Sequence, residues 1–341
     1  MASTRRRLAP LLISATLAAA TLAAGCGEKS ESGNASGPQP VTLALDWYVN
    51  PDHAGIYEAI DRGFFRAAGL DVSPQVPSDP SAPIKEVAAG RADLAISYEP
   101  EVMLARDQGL PVKAVAAIVP QPLTSLISPG KANIRTPADL RGKTIATAGI
   151  PYQQAFLKAI LAKAGLAEGD VNVVDVQQGL LPAVISGRAS AMLGGFLNVE
   201  GVDLRLRGLH PRVVPVDRLG VPTYDELVLV ASDDEVANDP RMIQHFNAAL
   251  ERGTRAAAAD PNEAAAVILK AGQGLEPRQT KAEVQRTVPL LEQRGTGHPY
   301  GFMVPAEWRR FARFLVDNGL IRSVPATGDI LTNDLLPNQV P

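Results

Sequence analysis

Two local patterns each occur twice in this chain, in the same order, and they constrain its fold more than any single motif does. "FRAAGLDVSPQV" at 65–76 is matched in type by "LAKAGLAEGDVNVVDV" at 161–176, and "AAGRADLAIS" at 88–97 by "ISGRASAMLG" at 185–194. Each copy joins the end of a helix, a glycine that stops it and a following strand. Strands and helices alternating in this way build an α/β layer fold around a largely parallel sheet, and the doubling makes two similar lobes. The 341 residues suffice for about two domains of roughly 150 residues each.

The first unit spans about 41–129. "VTLALDW", "LDVSPQV", "RADLAIS" and "PVKAVAAIV" read as strands and "APIKEVAAG" as a helix. "HAGIYEAIDRGFFRAAG" reads as one helix, with Ile56, Tyr57, Ile60 and Phe64 at helical spacing and Gly69 as its stop. The second unit, about 130–222, repeats the plan with strands "TIATAG", "VNVVDV" and "RASAMLGG". Its helices are "PYQQAFLKAILAKAG", with Pro151 in the first turn, and "LLPAVISG". One more strand, "ELVLVAS", precedes a helical remainder that is expected to return to the first lobe. The resulting division is a leader at 1–25, a tether at 26–40, one lobe at 41–128 plus 224–341 and a second at 129–223. The crossings near 124–129 and 221–232 then form a hinge. Trp308, Phe311 and Phe314 read as core residues of one helix face.

The leader has a basic "STRRR", an apolar "LAPLLISATLAAATLA" and then "LAAGC", which ends on the sole cysteine, Cys26. This resembles a bacterial lipobox, in which the signal is cleaved before the cysteine and the sulfur is acylated. The apolar run is shorter than the roughly 20 residues of a spanning helix. "GEKSESGNASGPQP" has nothing to bury and reads as a flexible tether. The expectation is a monomeric body held by lipid at the extracytoplasmic face of a cell membrane. With no cysteine after Cys26, the body has no disulfide framework, thiolate metal site or cysteine nucleophile. A net charge of −3 leaves no nucleic-acid footprint. His53, His210, His245 and His298 are scattered without metal-ligand spacing, and no nucleophile elbow, zinc motif or phosphate loop occurs. No metal, no cofactor and no enzymatic activity are expected.

In open α/β sheets ligands bind beyond the carboxyl ends of strands. Four such ends stand out: "LDWYVNPDH" and "ISYEPE" in the first lobe, "TAGIPYQQ" and "LGGFLNVEG" in the second. If the lobes face each other, these loops line one cleft. Aromatics are scarce, at 5% of the chain, so Trp47, Tyr98 and Tyr152 in these loops carry weight. Asn50, Gln153 and Asn198 add donors and acceptors, His53 stands beside the first strand end, and Glu200 follows a glycine pair. None of the four loops contains arginine or lysine, which disfavours a sulfonate, phosphate or dicarboxylate. A flat, weakly basic heteroaromatic fits: its faces stack on the aromatics and its amino group donates to Glu200. The candidate ligand residues are Trp47, Asn50, His53, Tyr98, Tyr152, Asn198 and Glu200.

These blocks resemble a known family. "LDWYVNPDHAGIYEAIDRGFFRAAGLDV" is similar to the opening of solute-binding proteins for thiamine pyrimidine precursors, and "GRADLAISYEPEV", "GGFLNVEGVDL" and "VDRLGVPTYDELVLVAS" resemble later blocks. The similarity covers most of 41–261. It implies a two-lobed periplasmic-binding fold of type II kind that delivers ligand to the permease and ATPase subunits of an ABC importer. It carries Trp47, Asn50, His53, Tyr98 and Glu200 over as pocket candidates. Tyr48-Val49 stands where the family often has Thr-Pro, and Leu197 where an aromatic often precedes the asparagine, so one stacking wall is expected to differ. Another heteroaromatic such as riboflavin, or an aromatic or sulfonate compound, is the alternative ligand. A related eukaryotic branch makes the pyrimidine itself with a histidine, a pyridoxal phosphate lysine and a cysteine-rich iron motif; the body of this chain has no cysteine for the last of these.

Overall fold

The structure is a computed structural model that describes residues 37–292 and 297–337. The leader and Cys26 lie outside the described residues. The strands are β1 (Gln39–Ala44), β2 (Leu70–Gln75), β3 (Leu94–Ser97), β4 (Val112–Val119), β5 (Thr124–Ser128), β6 (Thr144–Thr147), β7 (Asn172–Asp175), β8 (Ala191–Phe196), β9 (Arg212–Pro215) and β10 (Leu227–Ser232). They form two five-stranded sheets, ordered β2-β1-β3-β10-β4 and β7-β6-β8-β5-β9. The two orders superpose strand for strand, with β1 matching β6, β3 matching β8 and β10 matching β5. The doubled helix–glycine–strand patterns occupy equivalent places in the two lobes.

The sheets are mixed, not largely parallel. β1 and β6 pair in parallel with both neighbours, whereas β10 runs antiparallel to β3 and β4, and β5 antiparallel to β8 and β9. Each antiparallel strand is the first one laid down after the chain crosses between lobes. The segment expected to serve as the first crossing is therefore β5, an interior strand of the second sheet. Its sequence "TSLIS" has only two apolar residues, flanked by small polar ones, so it lacks a strong apolar run, yet every residue of it is buried. The crossings fall at 120–123 and 216–226 instead, and the second lobe begins before residue 129.

The helix expected over 53–69 is broken. A 3₁₀ turn, Pro51–His53, leads into the helix Ala54–Asp61, and Gly63 at φ 70° separates it from a short helix, Phe64–Ala67. That backbone conformation is open to glycine at no steric cost. The helices Pro240–Ala259 and Pro261–Ala271 pack on Ala54–Asp61, and Pro305–Asp317 packs on Glu99–Asp107. These C-terminal helices thus lie against helices of the first lobe. Gly55 and Gly253 permit the closest of these approaches: a Cβ on Gly253 would lie 2.0 Å from the Gly55 carbonyl oxygen. Trp308 and Phe311 are fully buried, and Trp308 Nε1 donates to Asp225 Oδ2 at 2.7 Å.

One side chain ties the two crossings together. Glu226 Oε2 accepts from the backbone N–H groups of Leu123 and Thr124, both at 2.7 Å, and from Tyr224 Oη at 2.9 Å. Its Oε1 accepts from Thr124 Oγ1 at 2.8 Å.

Candidate ligand-binding site

The loop after β1 folds on itself. Asn50 is extended, and its Oδ1 accepts from the backbone N–H of Asp52 at 2.8 Å. His53 Nδ1 accepts from the backbone N–H of Asn50 at 3.3 Å, which closes a reciprocal cap around the 3₁₀ turn. With Nδ1 an acceptor, Nε2 carries the proton and donates to Asp46 Oδ1 at 2.8 Å. From the end of β3, Tyr98 Oη donates to Asp46 Oδ2 at 2.8 Å. Asp46, buried at the end of β1, is therefore fixed by donors on both oxygens.

The second lobe supplies the facing wall. The helix Pro151–Lys163 begins with Tyr152 and Gln153 in its first turn, and Gln153 Oε1 accepts from the Ala148 backbone N–H at 2.8 Å. Gly194 sits at φ 111°, where a Cβ would lie 2.4 Å from Gln153 Nε2, so the glycine is required twice over. Glu200 opens the helix Glu200–Leu206, and its Oε2 accepts from the Phe196 backbone N–H at 2.7 Å.

Between these walls lies a cleft of about 500 Å³ of non-atom space, its mouth included. Its aromatic faces are Trp47 and Tyr98 from the first lobe and Tyr152 and Phe196 from the second; the Tyr98 and Tyr152 rings meet at 5.9 Å. Its carboxyl groups are Asp46, Asp52 and Glu200, and its amides Asn50 and Gln153. Among the described residues, no lysine or arginine lines the cleft. Burial holds the Tyr98 and Tyr152 phenols well above their ordinary range, so both keep their protons. Burial likewise raises Asp52 well above the usual carboxylate range, opposed by the hydrogen bond from Asn198 and reinforced by Asp46, Glu200 and Glu226. Glu200 is raised by burial, against the Phe196 N–H.

Of the residues expected at a ligand, Trp47, Asn50, Tyr98, Tyr152 and Glu200 line the cleft. His53 does not: it stands behind Asp46 and orients it. Asn198 does not line it either. Its Nδ2 bridges Asp52 Oδ1 and Thr287 Oγ1, each at 2.8 Å, and so joins the second lobe to the first. Phe196, one residue before Leu197, is among the residues that line the cleft. Asp46 and Asp52 escaped sequence reading, since an aspartate at a strand end or in a turn has an ordinary local explanation. The one signal was that both stand in the same strand-end loop as Trp47 and His53.

The NMT1/THI5-like family model matches residues 50–264. The chain belongs to this family. Among its relatives, a Haemophilus influenzae protein named for thiamine biosynthesis is 37% identical over 226 residues, 66% of this chain and 71% of that one. The formylaminopyrimidine-binding protein of Halalkalibacterium halodurans is 34% identical over 280 residues, 81% of this chain and 84% of that one. A 4-amino-5-hydroxymethyl-2-methylpyrimidine phosphate synthase of Aspergillus parasiticus is 25% identical over 65% of this chain and 67% of its own. These relatives thus include both a binding protein and an enzyme by name. In fold, the chain is similar to the alkanesulfonate-binding protein SsuA of Xanthomonas axonopodis pv. citri, with a TM-score of 0.69 and 17% identity over 87% of this chain and 99% of that one. The architecture of this NMT1/THI5-like chain is therefore the two-lobed α/β fold of periplasmic binding proteins.

Proposed function

We propose that the chain is the substrate-binding component of an ABC importer and captures a thiamine pyrimidine precursor, a 4-amino-5-substituted pyrimidine, between its lobes. The observation that carries this reading is the lining of the cleft: aromatic faces from both lobes, three carboxyl groups and no cationic side chain. A pyrimidine ring stacks on Trp47, Tyr98, Tyr152 or Phe196, at roughly 0.5–1.5 kcal/mol per ring pair. Its amino group donates to Glu200 at roughly 1.5–3 kcal/mol for a charge-assisted bond. A sulfonate would meet carboxylates where it needs an arginine fork. The relative named for formylaminopyrimidine binding supports the ligand class.

Capture proceeds by closure. Trp47 and Tyr98 offer the first wall, the ligand bridges to the second lobe, and the crossings held by Glu226 act as the hinge. A lipid on Cys26 keeps the body at the extracytoplasmic face, where the closed form is read by the permease and ATPase subunits. The chain acts as a monomeric carrier and leaves the pyrimidine chemically unchanged. The absence of cysteine after Cys26 supports binding over synthesis, because the iron motif of the pyrimidine-making branch has no counterpart.

Calorimetry on the body from residue 37 onward tests the reading, against 4-amino-5-hydroxymethyl-2-methylpyrimidine, riboflavin, taurine, nitrate and a dicarboxylate. The pyrimidine is expected to bind most tightly and to be recovered intact by mass spectrometry. Taurine binding without a pyrimidine signal refutes the ligand class. Riboflavin binding in its place reassigns the cleft to a larger heteroaromatic, and conversion of the pyrimidine refutes the carrier role.

A further inference from the structure

Asp52 sits where the ligand cleft meets the boundary between the lobes. It lines the cleft and is almost wholly buried. Its Oδ1 is occupied by Asn198 Nδ2, which reaches across from the loop after β8 and also donates to Thr287 Oγ1. Thr287 lies on the helix Pro277–Leu291, which packs on the turn Pro51–His53. Asn198 is thus gripped from two sides by the first lobe. Asp52 Oδ2 and Asn198 Oδ1, by contrast, are buried and have no hydrogen-bond partner among the described residues. The charged groups acting on Asp52 are Asp46, Glu200 and Glu226, all acids, and no lysine or arginine lines the cleft. Closing the lobes therefore encloses a carboxyl oxygen with nothing to satisfy it, which is unfavourable. A donor inside the cleft removes that penalty by pairing with the ionised carboxylate, the form that burial alone disfavours.

We infer that Asp52 Oδ2 accepts a hydrogen bond from the bound ligand and, through Oδ1 and Asn198, makes lobe closure depend on that donor. This rests on the aminopyrimidine reading and adds a second demand to it. Glu200 accepts from one donor of the ligand and Asp52 from another, so a flat ring with a single donor is held but does not close the protein. The two carboxyl groups come from opposite lobes, Asp52 from the loop after β1 and Glu200 from the helix after β8, so a ligand with two donors bridges the lobes directly. The Asn198 bond then adds a protein contact that forms only when the lobes meet.

The test is a cycle between ligand and protein. The probes are 4-amino-5-hydroxymethyl-2-methylpyrimidine, its 5-methyl analogue, which lacks the hydroxyl donor, and its 4-unsubstituted analogue, which carries hydrogen in place of the amino group. The proteins are the wild-type body, Asp52→Asn, which keeps an acceptor for Asn198, and Asn198→Ala. Affinity is read by calorimetry and closure by the fall in radius of gyration in small-angle scattering. In wild type both donor deletions are expected to weaken binding, about tenfold or more each. In Asp52→Asn, binding of the parent is expected to fall by about tenfold to a hundredfold, and one of the two deletions no longer matters. Asn198→Ala is expected to keep the wild-type preference among the probes but to lose the ligand-induced compaction. Equal deletion effects in wild type and Asp52→Asn, or full compaction in Asn198→Ala, overturn the inference while leaving the aminopyrimidine reading intact. Failure of wild type to bind the parent compound removes both. Should Asp52→Asn not fold, the compaction of Asn198→Ala decides the matter alone.

Discussion

Glu200 serves the protein and the proposed ligand with different atoms, and replacing it by glutamine separates the two. Its Oε2 accepts from the Phe196 backbone N–H at 2.7 Å, while the residue lines the cleft. In Glu200→Gln the amide oxygen takes over the Phe196 bond, because a backbone N–H can pair only with an acceptor. The amide NH₂ is thereby turned toward the cleft, where it opposes the ligand's amino group. The ligand loses one charge-assisted bond, roughly 1.5–3 kcal/mol, so affinity should fall about tenfold to a hundredfold. Stability should hold or rise slightly, because burial already disfavours the carboxylate form of Glu200 and the amide carries no charge. Glu200→Ala is the control: it strands the Phe196 N–H and should lower stability by about 1–3 kcal/mol. Calorimetry with the aminopyrimidine and thermal melting on the same samples provide both readouts. Unchanged affinity in Glu200→Gln, with a drop in stability confined to Glu200→Ala, would show that the carboxylate only finishes the strand-to-helix turn and would remove it from the ligand site.

Trp47→Ala should weaken aminopyrimidine binding by at least the roughly 0.5–1.5 kcal/mol of one ring pair, with little change in melting temperature because the ring is only half-buried; calorimetry beside melting checks it. Glu226→Ala strands the Leu123 and Thr124 N–H groups at the crossings between the sheets and should destabilise by about 2–5 kcal/mol in denaturant unfolding, a loss below 1 kcal/mol contradicting its role there. Burial pushes Glu101 and Glu226 up to about 7 from an ordinary 4.5. Their folded-state values lie above the unfolded ones, so the stability they contribute is complete below about pH 4.5 and is lost as pH rises through about 7. The ligand-free body should accordingly melt higher at pH 5.5 than at pH 8, and a flat or rising profile would contradict this. Cys26→Ala should move the full chain from the detergent phase to the aqueous phase in detergent partitioning, and identical partitioning would remove the lipid anchor.

Periodicity and the glycine stops in "AAGL" and "SGRA" determined the alternation of strand and helix, the doubling of the lobes and the loops that hold the aromatics, because these are local properties of the backbone. Trp47, Tyr98, Tyr152 and Glu200 were legible as cleft residues for the same reason: each follows a strand end, and strand ends open on the cleft. Pairing partners were not legible. "TSLIS" has no local feature that says it inserts antiparallel between β8 and β9, since that choice is made by where the chain lands after crossing. Nor does sequence spacing reveal what a polar side chain spends its hydrogen bonds on. His53 was drawn behind Asp46 by the fold of its own strand-end loop, and Asn198 to Asp52, across 146 positions of sequence, by a contact that exists only once the lobes face each other. Asp52 reads locally as a turn former. Tertiary burial alone left one of its oxygens without a partner and so made it a group that a ligand can complete.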